Sequence, residues 1–138
     1  MRTVFVDTSA FVALRNRSEQ EHVHARAVLA TLVAERAHLI TSNYVFSETY
    51  TALLIRTGRS EAIEWGRRFR AGKAIELIRV DESIEDEAWT ILSAHEDKQW
   101  SYVDATCFAL IDREHADAAF ALDRHFAQRG LALVGLET

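Results

Sequence analysis

Short runs of apolar residues alternate with longer amphipathic stretches along this chain. The short runs are rich in β-branched and aromatic residues, which favours buried strands. Five of them are predicted to be strands: residues 3–6, 38–41, 75–80, 118–122 and 131–134. The stretches between them have the apolar spacing of helices. Alternating strands and helices indicate parallel βαβ units, so we predict an α/β fold, a three-layer α/β/α sandwich with a central parallel sheet of about five strands.

Short polar residues at the expected helix starts can cap those helices. Thr8 or Ser9 can cap the first helix, and Ser18 with Glu21 forms an S-x-x-E pattern that predicts a helix over residues 19–36. The later candidate starts are Thr41 or Ser42, Ser60, Ser83 with Asp86, and Ser101 with Asp104. Glycines that terminate helices are Gly58, Gly72 and Gly130.

Composition and length indicate one globular domain. The chain has 138 residues, of which 49% are hydrophobic and 27% charged, a balance typical of globular proteins. We therefore expect a single domain over residues 1–138. The apolar runs fall far short of the ~20 residues of a membrane span, and Asp7 interrupts the stretch where a signal peptide would be apolar, so we expect a cytoplasmic protein with no membrane association. The single cysteine, Cys107, excludes an internal disulfide and is interpreted as a core residue.

The distribution of charge is uneven. A formal net charge of -5 argues against a protein that coats nucleic acid by charge alone. Basic residues are nevertheless concentrated between positions 56 and 73, and Arg67, Arg68 and Arg70 are candidates for contacts with RNA phosphates. The alternative is a solvated helix face.

Four acidic residues are predicted to lie at one edge of the sheet. Asp7 and Asp123 directly follow predicted strands, while Glu48 and Asp104 lie in the early turns of helices that begin at the same edge. Each acid alone can be explained as a cap, a turn former or a surface residue. Together they would repel one another unless a cation is bound, and oxygen ligands suit Mg²⁺ or Mn²⁺.

At these acids the sequence resembles the PIN-domain nucleases, most closely the VapC-type toxin ribonucleases of toxin–antitoxin pairs. The resemblance rests on four segments that occur in the family's order: residues 4–9 ending in Asp7-Thr8-Ser9, residues 41–48 ending in Glu48, residues 101–105 around Asp104, and residues 121–126 around Asp123. The opening Asp-Thr-Ser alone is weakly specific. The ordered set of four is strongly specific and spans essentially the whole chain.

The resemblance implies a PIN-like fold and a metal-dependent endoribonuclease that leaves a 5′-phosphate and a 3′-hydroxyl. By it, Asp7, Glu48, Asp104 and Asp123 are the catalytic, metal-binding acids, with Thr8 and Ser9 as polar residues behind them. It further implies a homodimer, an RNA substrate and a small antitoxin partner whose tail fills the acidic groove. One departure is Ala121, where many relatives carry threonine or serine. His125, two residues after Asp123, is a candidate for contact with substrate phosphate.

Two other functions fit parts of the pattern. A phosphatase with an aspartate nucleophile after the first strand would need a second aspartate two positions after Asp7, where Ser9 stands. A non-catalytic PIN-like module could use the same groove only to hold RNA or protein. Trapping of a phospho-aspartate would support the first, and cleavage that depends on Mn²⁺ would exclude the second.

Overall fold

The computed structural model describes residues 1–134, which form five strands and seven helices. In chain order these are β1 (Thr3–Val6), α1 (Thr8–Arg15), α2 (His22–Ala34), β2 (His38–Ser42), α3 (Asn43–Thr57), α4 (Arg59–Ala71), β3 (Ile75–Ile78), α5 (Glu82–Ala94), α6 (Tyr102–Glu114), β4 (Ala118–Phe120), α7 (Arg124–Gln128) and β5 (Leu133–Val134). Among these helices, none has both the length and the apolar character that crossing a bilayer requires.

The five strands form one parallel sheet with the order β3-β2-β1-β4-β5. β1 lies in the centre, and the chain moves from it first to β2 and β3 on one side and later to β4 and β5 on the other. The strand order therefore reverses between β1 and β4, and ligands in such sheets bind beyond the carboxyl ends of the strands at this point. The predicted parallel α/β/α architecture is confirmed.

The core surrounds the central strands and α6. The aromatic side chains of Phe5, Phe108, Phe120 and Phe126 are fully buried, and Phe108 packs edge-on against Phe126 with ring centroids 5.2 Å apart. Every residue of α6 from Asp104 to Ile111 is buried. Because α6 is enclosed in the core, Asp104 in its first turn has a fixed position at the carboxyl edge of the sheet. Cys107 is a core residue, as predicted.

Several predicted helix starts are wrong, because a nearby side chain is the better hydrogen-bond acceptor. Ser18 donates to Asn16 Oδ1 instead of capping, and α2 begins after Glu21 without a side-chain cap. α5 is capped by the carboxylate of Asp81, which accepts from the Ile84 amide, so Ser83 with Asp86 is not its cap.

The start of α4 and the lengths of three strands also differ from prediction. α4 begins at Arg59, directly after Gly58, and not at Ser60. Gly58 has φ of +100°, a conformation that disfavours residues with a Cβ, and this allows α3 to pass into α4 without a loop. The third, fourth and fifth strands are shorter than their apolar runs, because apolar residues also line the connections that lead into the core.

Candidate active site

Asp7 is a buried carboxylate at the carboxyl end of the central strand. Its amide donates to the Phe120 carbonyl at 3.0 Å, which extends the pairing of β1 with β4 by one residue. Its side chain caps α1, a role predicted for Thr8 or Ser9, and Oδ2 accepts from the Ser9 amide at 3.2 Å and from Ser9 Oγ at 2.8 Å. Burial raises the pKa of Asp7 to about 7 against these hydrogen bonds, and the nearby Glu48 raises it further. The free chain therefore holds this acid in an environment that disfavours its charged form.

Ser9 and Thr8 connect the acid-bearing segments. Besides donating to Asp7, Ser9 Oγ accepts from the Leu122 amide at 2.8 Å, one residue before Asp123. Thr8 Oγ1 lies 3.3 Å from Thr49 Oγ1, one residue after Glu48. The two hydroxyls thus fix the ends of β1 and β4 and the middle of α3 relative to one another. Ala121 is fully buried and offers no hydroxyl. The hydrogen bond from the Leu122 amide to Ser9 Oγ therefore holds this segment.

Glu48 reaches the site from α3. The helix begins at Ser42, whose hydroxyl accepts from the Val45 amide, and Glu48 lies about one and a half turns further on. Its carboxylate is partly exposed and makes no hydrogen bond or ion pair within residues 1–134. A carboxylate without protein partners beside a buried acid is available to a cation.

Asp104, Asp123 and His125 form a second group next to Asp7. The predicted capping box at the start of α6 is confirmed: Asp104 Oδ2 accepts from the Ser101 amide at 3.1 Å, and the Asp104 amide donates to Ser101 Oγ at 3.0 Å. Asp104 Oδ2 also accepts from His125 Nδ1 at 2.8 Å, so this ring nitrogen carries the proton when Asp104 is ionised. Asp123 caps α7 and accepts from the His125 amide at 2.8 Å.

All four predicted acids line one cavity of about 390 Å³, which we call the acidic cleft. Thr8, Ser9 and His125 line it as well, together with Glu19 and Glu21 from the connection between α1 and α2. The thiol of Cys107 is buried in α6 and lies near these acids. Burial raises its pKa well above the usual range, and all four acids raise it further through their charge. The predicted convergence of the four acids at one edge of the sheet therefore occurs in the structure.

The three predicted RNA-binding arginines do not line the acidic cleft. Arg67 and Arg68 both pair with Glu64 on the exposed face of α4, at 3.3 and 2.8 Å. Arg68 and Arg70 line two other cavities. The arginine that does line the cleft is Arg56, whose NH1 group donates to Glu19 Oε1 at 2.8 Å. No local sequence pattern marks this pair, because α3 and the connection before α2 meet only in the folded chain.

The donor set fits a hard divalent cation. Asp104 and Asp123 each use one carboxylate oxygen for hydrogen bonds from the protein, while the other oxygen makes none within residues 1–134. Ligand atoms of Asp104, Asp123 and His125 lie within 4.8 Å of one another. Oxygen-rich sites of this kind suit Mg²⁺ and Mn²⁺ better than softer metals. The side chains are therefore both positioned by the protein and open toward a bound ion.

Comparison with known proteins identifies related sequences and structures. The family model of the PIN domain matches residues 4–131. The 23S rRNA-specific endonuclease VapC20 of Mycobacterium tuberculosis is 32% identical over 131 residues, which cover 95% of this chain and 97% of that protein. The crystal structure of VapC20, a sarcin-ricin loop cleaving toxin, superposes with a TM-score of 0.85 and covers 94% of this chain and 96% of its own.

More distant solved structures share the fold. VapBC2 from Rickettsia felis, bound to a promoter DNA fragment, has a TM-score of 0.73 at 14% identity and covers 95% of this chain and 96% of its own. FitAcB from Neisseria gonorrhoeae has a TM-score of 0.67 at 15% identity, with 94% and 95% covered. At these identities the likeness concerns the architecture alone.

Proposed function

The chain belongs to the PIN-domain family, and from that premise we propose that it is a metal-dependent endoribonuclease, the toxin of a type II toxin–antitoxin pair. The observation that carries this proposal is the meeting of Asp7, Glu48, Asp104 and Asp123 in one cleft. The likeness to VapC20 over nearly the whole chain supports it. The acidic cleft would act on the phosphodiester backbone of RNA in the cytoplasm and leave a 5′-phosphate and a 3′-hydroxyl.

The four acids would hold Mg²⁺ or Mn²⁺, with Asp7 and Asp104 as the principal ligands. Glu48 and Asp123 would complete the site or bind a second ion. When bound, such an ion supplies a water of lowered pKa as nucleophile and offsets charge on the scissile phosphate and the leaving oxygen. A bound cation also favours the charged form of Asp7, whose pKa is raised by burial and by Glu48.

The chain's own residues would position the reaction. Ser9 holds Asp7 Oδ2 and the Leu122 amide, so it fixes two of the acid-bearing segments with one hydroxyl. His125 orients Asp104 through Nδ1–H, and in its doubly protonated form Nε2–H would donate to a phosphate oxygen of the substrate. Thr8 fixes α3, and with it Glu48, against α1. These contacts would keep the ligand oxygens in place before RNA binds.

We further propose ribosomal RNA as the substrate class, because VapC20 is specific for 23S rRNA. The decisive experiment is incubation of the purified protein with total cellular RNA and with a sarcin-ricin stem-loop, with and without Mg²⁺ or Mn²⁺, followed by mapping of the cut ends. Cleavage that requires the metal and yields 5′-phosphates is expected. Metal binding without cleavage of any RNA would contradict the nuclease and favour the non-catalytic module.

A small antitoxin and a second copy of the chain are the proposed protein partners. Exposed apolar side chains are available for such contacts: Val23 and Val33 on α2 are 79% and 62% exposed, and Ile55 on α3 is 78% exposed. Light scattering coupled to gel filtration measures the molar mass and shows whether the chain forms a dimer. Co-expression with candidate antitoxins followed by co-purification tests the antitoxin, and a bound antitoxin is expected to suppress cleavage.

A further inference from the structure

A second cavity of about 660 Å³ adjoins the acidic cleft and has the opposite charge. We call it the basic depression. Its charged lining consists of four arginines and one acid, namely Arg15, Arg17, Arg26, Arg68 and Glu61. Such a concentration of guanidinium groups is unexpected on a chain whose net charge is -5. Because like charges repel, clustering these arginines does not stabilise the fold by itself. Binding of an anionic ligand explains the cluster better.

The two cavities share a rim. At four places in the chain, one residue lines the cleft and its neighbour lines the depression: Ala13 and Leu14, Glu19 and Ser18, Glu21 and His22, and Arg56 and Thr57. The rim therefore consists of α1, the connection to α2 and the end of α3. A hydrogen bond of 2.7 Å between His22 Nδ1 and the Ala13 carbonyl fastens the connection to α1. A ligand long enough to leave the cleft over this rim enters the basic depression.

The guanidinium groups of the depression are available to such a ligand. Arg17 and Arg26 are exposed and have no ion pair or hydrogen bond within the described part of the chain. Arg15 uses Nε toward Glu61 at 2.9 Å, and Arg68 uses Nε toward Glu64 at 2.8 Å. Their terminal nitrogens have no partner in residues 1–134. Planar guanidinium groups with free N–H donors bind phosphate oxygens in bidentate fashion.

We propose that the basic depression binds backbone phosphates of the RNA strand whose scissile bond lies in the acidic cleft. This inference rests on the proposed function. A cleft lined by six carboxylates repels a polyanion, and bound divalent ions offset that repulsion only where the bond is cut. Phosphates further along the strand have to be held by cations outside the cleft, and such contacts dominate the affinity of proteins for nucleic acid.

Binding measurements in EDTA test the proposal without cleavage. The variant is Arg17→Ala with Arg26→Ala, two exposed positions outside the cleft. The control is Lys73→Ala with Arg79→Ala, which removes the same charge from residues that line neither cavity. For a labelled RNA stem-loop of roughly 25 nucleotides, the first variant is expected to raise Kd about tenfold and to reduce the salt slope by about 1 to 2. The control is expected to do neither.

Kinetics separate this proposal from the nuclease assignment. With Mn²⁺, the Arg17→Ala/Arg26→Ala protein is expected to show a raised KM for the stem-loop and an unchanged kcat at saturation. A wild-type protein that cleaves no RNA overturns the proposed function, while the binding comparison still decides the role of the depression. Equal Kd values for the variant and the control overturn the depression as an RNA site. Tighter binding of an oligo-glutamate peptide than of RNA of equal charge would assign it to an acidic protein segment.

Discussion

The acidic cleft and the basic depression are neighbours with opposite electrostatics. Six carboxylates and the single arginine Arg56 line the first, whereas four arginines and the single acid Glu61 line the second. The net charge of -5 describes neither of them. For a protein that handles a polyanion, the sum of charges is thus less informative than their separation into one region that concentrates cations and one that attracts phosphate.

The two regions also differ in how they are built. Three acids of the cleft, Asp7, Asp104 and Asp123, are held by helix caps and by hydrogen bonds from Ser9, Ser101 and His125. Of the arginines of the basic depression, Arg17, Arg26 and Arg68 have exposed side chains, and Arg15 is partly buried. Chemistry requires positions fixed to fractions of an ångström, whereas binding of a flexible backbone does not. Substitutions in the two regions test this difference.

The largest effect is expected from Asp104→Asn. Asparagine keeps an acceptor for the Ser101 amide but removes the negative charge of a proposed metal ligand that lines the cleft. Metal-dependent RNA cleavage should fall by at least about a thousandfold with little change in the circular dichroism spectrum. Asp86→Asn, on the exposed face of α5, serves as the control and should keep full activity. Cleavage by Asp104→Asn at the wild-type rate would remove the cleft from the mechanism.

Asp7→Asn should stabilise the protein in the absence of metal. The pKa of Asp7 is about 7 in the folded chain against a usual 3.8, so the folded state binds this proton more tightly than the unfolded state does. Stability of the wild type is therefore lost as pH rises from about 4 to about 7. In EDTA the substitution should raise the free energy of unfolding by about 2 to 4 kcal/mol near pH 8, and by less near pH 5.

Urea denaturation at both pH values measures the gain in the free energy of unfolding caused by Asp7→Asn. The control variant Asp86→Asn is expected to show no gain. Added Mn²⁺ near pH 8 should stabilise the wild type more than Asp7→Asn, because the ion favours the charged carboxylate. A gain that is equal at the two pH values would mean that Asp7 is not an isolated buried charge.

A smaller effect is expected from Ser9→Ala. This change removes the hydroxyl that donates to Asp7 and leaves the Leu122 amide without its acceptor. Affinity for Mn²⁺ should fall about tenfold, and the free energy of unfolding by about 1 to 2 kcal/mol. Calorimetric titration and denaturation give the two values. Ser93→Ala, at an exposed position of α5, is the matched control, and identical behaviour of the two variants would refute the positioning role of Ser9.

The smallest effect is expected from single arginine changes on α4. Arg67 and Arg68 are adjacent, pair with the same Glu64 and have side chains that are 71% and 72% exposed, but only Arg68 lines the basic depression. Arg68→Ala should raise the Kd for a long RNA about twofold to fivefold, and Arg67→Ala should change it less. Fluorescence anisotropy at several salt concentrations compares them. A larger effect of Arg67→Ala would place the RNA on a different face of α4.

Local sequence patterns predicted the parts of the molecule that depend on neighbouring residues. The strand that ends at Asp7 and the capping box of Ser101 with Asp104 are examples, and the family resemblance drawn from the four acid-bearing segments is confirmed. The same capping pattern failed at Ser18, where Asn16 is the closer acceptor. A pattern of spacing does not reveal which of two nearby side chains wins a hydrogen bond.

The parts that depend on packing could not be predicted. The full burial of the Asp7 carboxylate follows from β4 and α6, which lie more than ninety residues further along the chain. The basic depression combines arginines from three helices and from the connection between α1 and α2, and only one of them, Arg68, lies in the basic run between positions 56 and 73. Charge clusters made by tertiary structure have no signature in any short segment.

The buried thiol of Cys107 can serve as a native chemical probe of opening of the core. It is fully buried in α6, three residues after Asp104. Alkylating reagents reach it only in molecules whose central helix has left the sheet, so the rate of modification reports opening events without an engineered label. A ligand that bridges the carboxylates is expected to slow that opening, so the alkylation rate of this sulfur, which is buried in the folded state, would report occupancy of the cleft.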